Sequence, residues 1–298
     1  ELLLGTRSAL VPLLSAHPAL DGILELEEDE LLLSYLARIR ARAPDVVLDL
    51  HGSLRSHSLR MLLPEIPFVH IRRPGMFYRA AVGLRWQRAS HRDSREQRQH
   101  AAVEKLVGRS LPPPPFRVWV DPAGRAPVAE KLGDLNGLPL LALCPGAAWE
   151  TKRWPEEHWV DLAGRAQAAG WQVLLQGSAA EERLCARIAG TVAGARSLAG
   201  LSLRELPALL DRCAAVVSND SAPLHIARGL GLPTIGLFGS TDPGLFSLGK
   251  VEVLREELPC APCSVYGRRS CPEKHFRCMK ELSVDRVWAA LERIRSTL

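Results

Sequence analysis

Four strand-length apolar runs, at residues 138–143, 171–176, 214–218 and 233–238, constrain this chain more than any other feature. Each is almost continuously apolar instead of alternating, so each must be covered on both faces. Stretches with helical spacing of apolar residues lie between and after them, at 155–169, 179–189, 203–213 and 223–230. Strand and helix in strict alternation predict a parallel sheet with helices on both sides. A further amphipathic helix, 284–294, closes the chain. The first half shows the same rhythm more faintly, with strands at 1–6, 46–50 and 68–71 and a helix at 28–43 that stops before Pro44.

A length of 298 residues suits two domains. Leu111 is followed by Pro112, Pro113, Pro114 and Pro115, which continue neither a helix nor a central strand and form a stiff polyproline II segment. The connection is therefore placed in 111–138, with domains at 1–125 and 126–298. A composition of 47% apolar and 24% charged residues excludes disordered and fibrous classes. The longest apolar runs fall well short of the ~20 residues that cross a bilayer, and the opening Glu1-Leu2-Leu3-Leu4 carries no basic region or cleavage site of a signal peptide. A cytoplasmic protein is expected. Nucleic acid is not an expected partner, because the net charge is only +5 and no basic stripe with interleaved aromatics is present.

Parallel sheets gather ligands at the carboxyl ends of their strands, and four such ends are unusual here. After the first run comes Cys144-Pro145-Gly146-Ala147-Ala148-Trp149-Glu150-Thr151-Lys152-Arg153-Trp154-Pro155. Gly146 lets a ligand approach the backbone, and Lys152 and Arg153 bring positive charge; the plain alternative is a solvated basic loop over two packed tryptophans. After the second run, Ser178 and Glu181 have capping-box spacing, which alone accounts for both. After the third, Asn219-Asp220-Ser221-Ala222-Pro223-Leu224-His225 runs from strand into helix. The backbone N–H groups of Ser221 and Ala222, with the positive end of the helix dipole, make a seat for phosphate, and His225 lies one turn further on. Capping needs one side chain, not Asp, Ser and His together. The fourth end, Phe238-Gly239-Ser240-Thr241-Asp242-Pro243, adds small hydroxyl residues and an Asp-Pro turn.

Taken in order, Pro145-Gly146-Ala147 with Trp149 and Lys152-Arg153-Trp154-Pro155, Gly177 with Glu181, Asn219-Asp220-Ser221 with Pro223, His225 and Ala227, and Phe238-Gly239 with Thr241-Asp242-Pro243 resemble glycosyltransferase family 9, the ADP-heptose:lipopolysaccharide heptosyltransferases. The ending, Pro259-Cys260 with Pro262-Cys263, Cys271 and Cys278-Met279, and the upstream segments 13–21 and 46–55 extend the likeness over nearly the whole chain. The resemblance implies an α/β fold of the GT-B type, two Rossmann-like doubly wound domains facing across a cleft. The N-terminal domain would take the acceptor, a lipopolysaccharide core, and the C-terminal domain the nucleotide-sugar donor, ADP-heptose. By similarity Lys152 would contact the donor diphosphate and stabilise the leaving group beside the Gly146–Ala148 backbone. Glu181 would bind the adenosine ribose, and Asp220, Ser221, Ala222 and His225 would line the donor site. Ala222 replaces a glycine common in the family, which narrows the approach to the phosphate. No metal or other cofactor is implied, and transfer would invert the anomeric configuration. The family's Asp base lies in a loop after a first strand that this chain lacks; roughly 30–40 residues are missing by comparison with typical lengths.

The family likeness also favours reading the arginine-rich stretch 79–98 (Arg79, Arg85, Arg88, Arg92, Arg95, Arg98, with His91 and His100) as a surface for a phosphorylated core or an anionic membrane. The alternative is a solvated helix face. Such a protein would work at the cytoplasmic face of the inner membrane as a peripheral enzyme. Cys260, Cys263, Cys271 and Cys278 are compatible with a structural metal, with free thiols or with disulfides, none of them catalytic. The rival functions are a transferase of another nucleotide sugar, a catalytically silent nucleotide-sugar-binding module, and a nucleotide-sugar epimerase.

Overall fold

The computed structural model describes residues 1–71, 82, 93–133 and 137–297. Close contacts divide the chain into two compact units: Glu1–Arg79 with Ser90–Pro115 and Gly244–Ser247, and Ala80–Ala89 with Phe116–Pro243 and Leu248–Leu298.

In the first unit β1 (Leu3–Arg7) is followed by the short helix α1 (Val11–Leu14), β2 (Gly22–Leu26), α2 (Leu32–Ala41), β3 (Val47–Asp49), α3 (Leu54–Leu62), β4 (Phe68–His70) and α4 (Arg95–Val107). β1 pairs with β2 and β3 with β4, both in parallel, as separate two-stranded sheets. Asp49 ends β3 by accepting the N–H groups of His51 and Gly52 at 2.8 Å, and Ser53 caps α3 by accepting from Ser56 N. The strand β2 and the helix α3 were not expected; their residues are only partly covered and lack an unbroken apolar signature.

The second unit holds the larger core. After residues 116–121, which run without helix or strand, come α5 (Arg125–Leu132), β5 (Leu140–Cys144), α6 (Glu156–Ala168), β6 (Gln172–Leu175), α7 (Glu182–Thr191), β7 (Arg196–Ser197), α8 (Glu205–Leu210), β8 (Ala215–Asn219), α9 (Ala222–Gly229), β9 (Thr234–Phe238), β10 (Glu252–Arg255), α10 (Arg277–Lys280) and α11 (Val284–Arg295). All six strands run parallel in the order β10-β9-β8-β5-β6-β7, with Leu141 beside Ala215 and Val216 beside Thr234. The four expected apolar strands are its inner four. The edges β7 and β10 were not anticipated, because an edge strand such as Glu-Val-Leu-Arg carries polar residues. Helix α5 lies inside the stretch read as connection, where buried Val128 and Leu132 anchor it.

Side chains alternate across the sheet. Leu141, Leu143, Val173, Leu175, Val217, Ile235 and Leu237 join Trp159 and Leu162 of α6, Ile188 of α7 and Val287 and Leu291 of α11 in one cluster. The helices α8 and α9 bury Leu206, Leu209, Leu224 and Ala227. From β5 the chain passes to β6 and β7 on one side, then returns to β8, β9 and β10 on the other. The strand order therefore reverses between β5 and β8. The ends of two strands flanking such a reversal are the usual ligand position in a doubly wound sheet.

Candidate functional site at the reversal of strand order

Lys152 follows β5 and Asp220 follows β8, so the two flank the reversal. The segment after β5 is held by Asn219, the fully buried last residue of β8. Its side-chain amide donates to Pro145 O at 2.8 Å, and its Oδ1 accepts from Trp154 N at 3.2 Å. Between those ties, Glu150–Lys152 forms a 3-10 turn closed by Lys152 N donating to Trp149 O. The turn delivers Lys152 Nζ to 2.7 Å from Asp220 Oδ2, with the carboxylate side chain 4% exposed and the lysine 14%. Thr241 Oγ1 donates to the same oxygen at 2.6 Å, and His225 Nε2 lies 3.8 Å from Oδ1.

Burial by itself would raise the Asp220 pKa. The nearby His225 ring, the charge and hydrogen bond of Lys152 and the bond from Thr241 outweigh it and hold the carboxyl at about 2. Asp220 is thus an anion that orients Lys152. An ammonium has three donors, and one of them is used here.

Helix α9 opens at this carboxylate. Ser221 occupies the cap position in extended conformation, but its side chain makes no capping bond to the helix; its Oγ lies 3.2 Å from Ser218 Oγ. Pro223 has no N–H, and exposed Ala222 opens the first turn. The positive end of the helix dipole is therefore left without a side-chain cap.

Not every expected role is met as expected. Arg153 turns back, its Nε donating to Ala147 O at 2.9 Å and its Nη1 pairing with Glu150 at 2.6 Å, so it braces the loop that Lys152 leaves. The space above Gly146 is filled by Glu181: a Cβ there would lie 2.1 Å from that carboxylate. Glu181 Oε2 in turn accepts from Ser178 N at 2.8 Å, as the capping spacing predicted, and from Ser178 Oγ at 2.9 Å. Ala147 is buried and Ala148 exposed in the same loop. The structure thus brings Lys152, Asp220, Ser221, Ala222 and His225 to the reversal, and Gly146 to Glu181.

Asn219 and Thr241 were quoted in the motifs without a role, and both hold the site. Their sequence signal, a polar residue at the very end of a buried strand and a hydroxyl after the neighbouring one, was present. The cysteines are free thiols, with Cys263 and Cys278 buried. Burial, reinforced by the neighbouring thiols, raises the pKa of both, that of Cys278 to about 12. Among the described residues no group of three or more His, Cys, Asp or Glu is placed to hold a metal ion. Of the arginine-rich stretch, Arg79, Arg85, Arg88, His91 and Arg92 lie outside the described residues. Arg98 donates to Asp93 O at 2.6 Å, and His100 meets Leu111 O at 3.0 Å.

An α/β unit with an ammonium and a helix N-terminus at its strand reversal has the features of a doubly wound domain that takes an anionic ligand. The chain belongs to glycosyltransferase family 9 (heptosyltransferase), whose model matches residues 32–275. It is 34% identical over 233 residues to lipopolysaccharide heptosyltransferase 1 of Pseudomonas aeruginosa, a match that takes in 74% of this chain and 61% of that one. The chain thus spans about three fifths of that relative's length. Among solved structures, the ADP-heptose lps heptosyltransferase II of E. coli superposes with a TM-score of 0.72 at 22% identity, covering 98% of this chain and 88% of that one. An E. coli heptosyltransferase with ADP-2-deoxy-2-fluoro heptose gives 0.68 at 18% identity, covering 97% and 88%. The α/β GT-B fold expected from the sequence is the fold of these proteins.

Proposed function

We propose that the protein transfers heptose from ADP-heptose to a lipopolysaccharide core, with residues 126–298 holding the donor and residues 1–125 the acceptor. The observation that carries this reading is the Lys152–Asp220 pair beside the α9 N-terminus, at the reversal of strand order. The names of the relatives support the substrates: the Pseudomonas protein is a lipopolysaccharide heptosyltransferase, and the E. coli structure carries an ADP-heptose analogue.

The reaction develops negative charge on the departing diphosphate. Lys152, kept in place by Asp220, meets that charge with its remaining donors, and the backbone N–H of Ala222 meets it from the helix end. Both are preorganised, so neither has to reorient as the bond breaks. Leaving-group stabilisation by protein groups removes the need for a metal at this step. Attack by an acceptor hydroxyl from the opposite face inverts the anomeric carbon and wants a general base, a role we assign to no residue of this chain. We assign Glu181, beside Gly146 at the next strand end, to the ribose. Among the described residues no helix is long and apolar enough to cross a membrane; we propose peripheral attachment at the cytoplasmic face, where a lipid-linked acceptor would be met.

The test is calorimetry of ADP-heptose, ADP and UDP with the wild type and Lys152→Ala. The adenine compounds should bind best, and the substitution should weaken them by ~1.5–3 kcal/mol, the scale of a charge-assisted contact. Equal affinities in the two proteins would remove Lys152 from the site. Binding without heptosyl transfer to a core acceptor would identify a silent binding module.

A further inference from the structure

Thr151, directly before Lys152, is 2% exposed, and its hydroxyl lies where three segments meet. Its Oγ1 accepts from Arg268 N at 2.8 Å, lies 2.9 Å from Ser240 Oγ and reaches Arg268 O at 3.2 Å, while Thr151 N also donates to Arg268 O at 3.2 Å. The loop that supplies Arg268 grips Ser240 as well: the N–H groups of Cys263 and Ser264 both donate to Ser240 O at 3.0 Å. Ser264 stiffens this loop internally, its Oγ accepting from Gly267 N at 2.8 Å and Tyr266 N at 3.2 Å and donating to Gly267 O at 3.0 Å. The packing admits little slack. A Cβ on Gly267 would stand 2.6 Å from Trp149 Cβ, and one on Gly239 would stand 3.1 Å from Thr151 O.

The cysteine-rich segment, left without a role by the sequence, is therefore bonded to the residues immediately before Lys152 and Thr241. Those two donate to the same oxygen of Asp220. A lysine side chain has large rotamer freedom, so its direction depends on how firmly its own backbone turn is held. Thr151 is the middle residue of that turn. Buried hydrogen-bond networks of this kind fix geometry when every member is satisfied.

We infer that Thr151 is a positioning residue, whose hydroxyl couples the 263–268 loop to the Lys152–Asp220 pair and so sets the grip on the donor's diphosphate. The inference rests on the donor-site reading for its ligand, but the coupling itself can be read without one. Thr151→Val keeps the volume and removes the hydroxyl; Thr151→Ser keeps the hydroxyl. Two quantities are measured: ADP affinity by calorimetry, and the rate at which Lys152 is acylated in the ligand-free protein, followed by peptide mass spectrometry with Lys131 as internal reference.

Thr151→Val should bind ADP about tenfold more weakly and expose Lys152 to several-fold faster acylation, with Lys131 unchanged. Thr151→Ser should return both to within about twofold of the wild type. Wild-type affinity and wild-type acylation in Thr151→Val overturn the inference. If ADP affinity does not respond to Lys152→Ala, the donor-site reading fails, and acylation still decides the coupling. If Lys131 also labels faster, the valine variant has unfolded, and Ser240→Ala replaces it: Lys152 acylating there at the wild-type rate overturns the coupling, and a faster rate supports it.

Discussion

Two lysine–carboxylate pairs in the second unit have nearly the same geometry and different surroundings. Lys152 meets Asp220 at 2.7 Å at the end of the sheet, and Lys131 meets Glu205 at 2.6 Å where α5 packs beside α8. Both carboxyls are held at about 2, for different reasons. At Glu205 the hydrogen bond from Lys131 leads, followed by bonds from the side chain and backbone of Ser202, and burial resists only weakly. At Asp220 burial is the largest influence and opposes ionisation; His225, Lys152 and Thr241 together overcome it. The lysines differ in the same sense, Lys131 being 46% exposed and Lys152 14%. Distance and acidity alone do not separate a surface clasp from a ligand site. Desolvation does.

The contrast breaks most visibly on removing Asp220. Asp220→Asn leaves the Lys152 ammonium largely buried and without its counter-ion, an arrangement that costs about 3 kcal/mol or more. Urea unfolding at neutral pH should show that loss. A loss below about 1 kcal/mol would make the pair energetically equivalent to the one on the surface.

Acid tests the buried pair with a defined sign. The Asp220 carboxyl is more acidic in the folded chain than in the unfolded one. Its stabilisation is therefore complete above the unfolded pKa near 4 and is lost as pH falls through the folded value of about 2. Unfolding free energies of the wild type and Asp220→Asn, measured from pH 5 to pH 2, should converge by about 2 kcal/mol across that interval. A difference that stays constant through it would show that Asp220 is not ionised against Lys152 in the native state.

A smaller effect is expected at Gly146. The alanine methyl of Gly146→Ala would occupy the place of the Glu181 carboxylate and push it off Ser178, at a cost of about 1 kcal/mol. If Glu181 serves the ribose, ADP should bind more weakly as well. Unchanged stability in thermal unfolding would mean that the carboxylate swings clear without loss.

How much of this was legible in the sequence follows from how each feature is encoded. The inner strands of the large sheet are buried on both faces, so their residues must be apolar throughout, and the pattern names them. Lys152, Asp220 and His225 stood out as candidates because a parallel sheet collects ligands at its carboxyl ends, and the next residues after the strands are the ones to inspect. The first unit was harder to read, since β2 and α3 are partly exposed and carry mixed residues. Thr241 and Thr151 were present in the motifs, but their partners are distant in the chain. Thr151 bonds to Arg268, 117 residues away, and no local spacing announces that. The place of Glu181 over Gly146 is likewise set by the fold and not by local spacing, because capping already accounted for its spacing from Ser178.

The surface pair provides the other end of the comparison. Glu205→Gln removes the charge at α8 but keeps a side chain able to hydrogen-bond Ser202, and Lys131 is exposed enough for water to replace its partner. An ion pair whose lysine stands half in solvent contributes about 0–1 kcal/mol, and salt screens it further. Glu205→Gln should therefore lower stability by less than about 1 kcal/mol, with the difference shrinking as salt is raised, and should leave ADP affinity unaltered. A larger loss, or one insensitive to salt, would mean that Lys131 and Glu205 clamp α5 to α8 as a desolvated pair, and the division between the two regions would have to be drawn by position at the strand reversal instead of by burial.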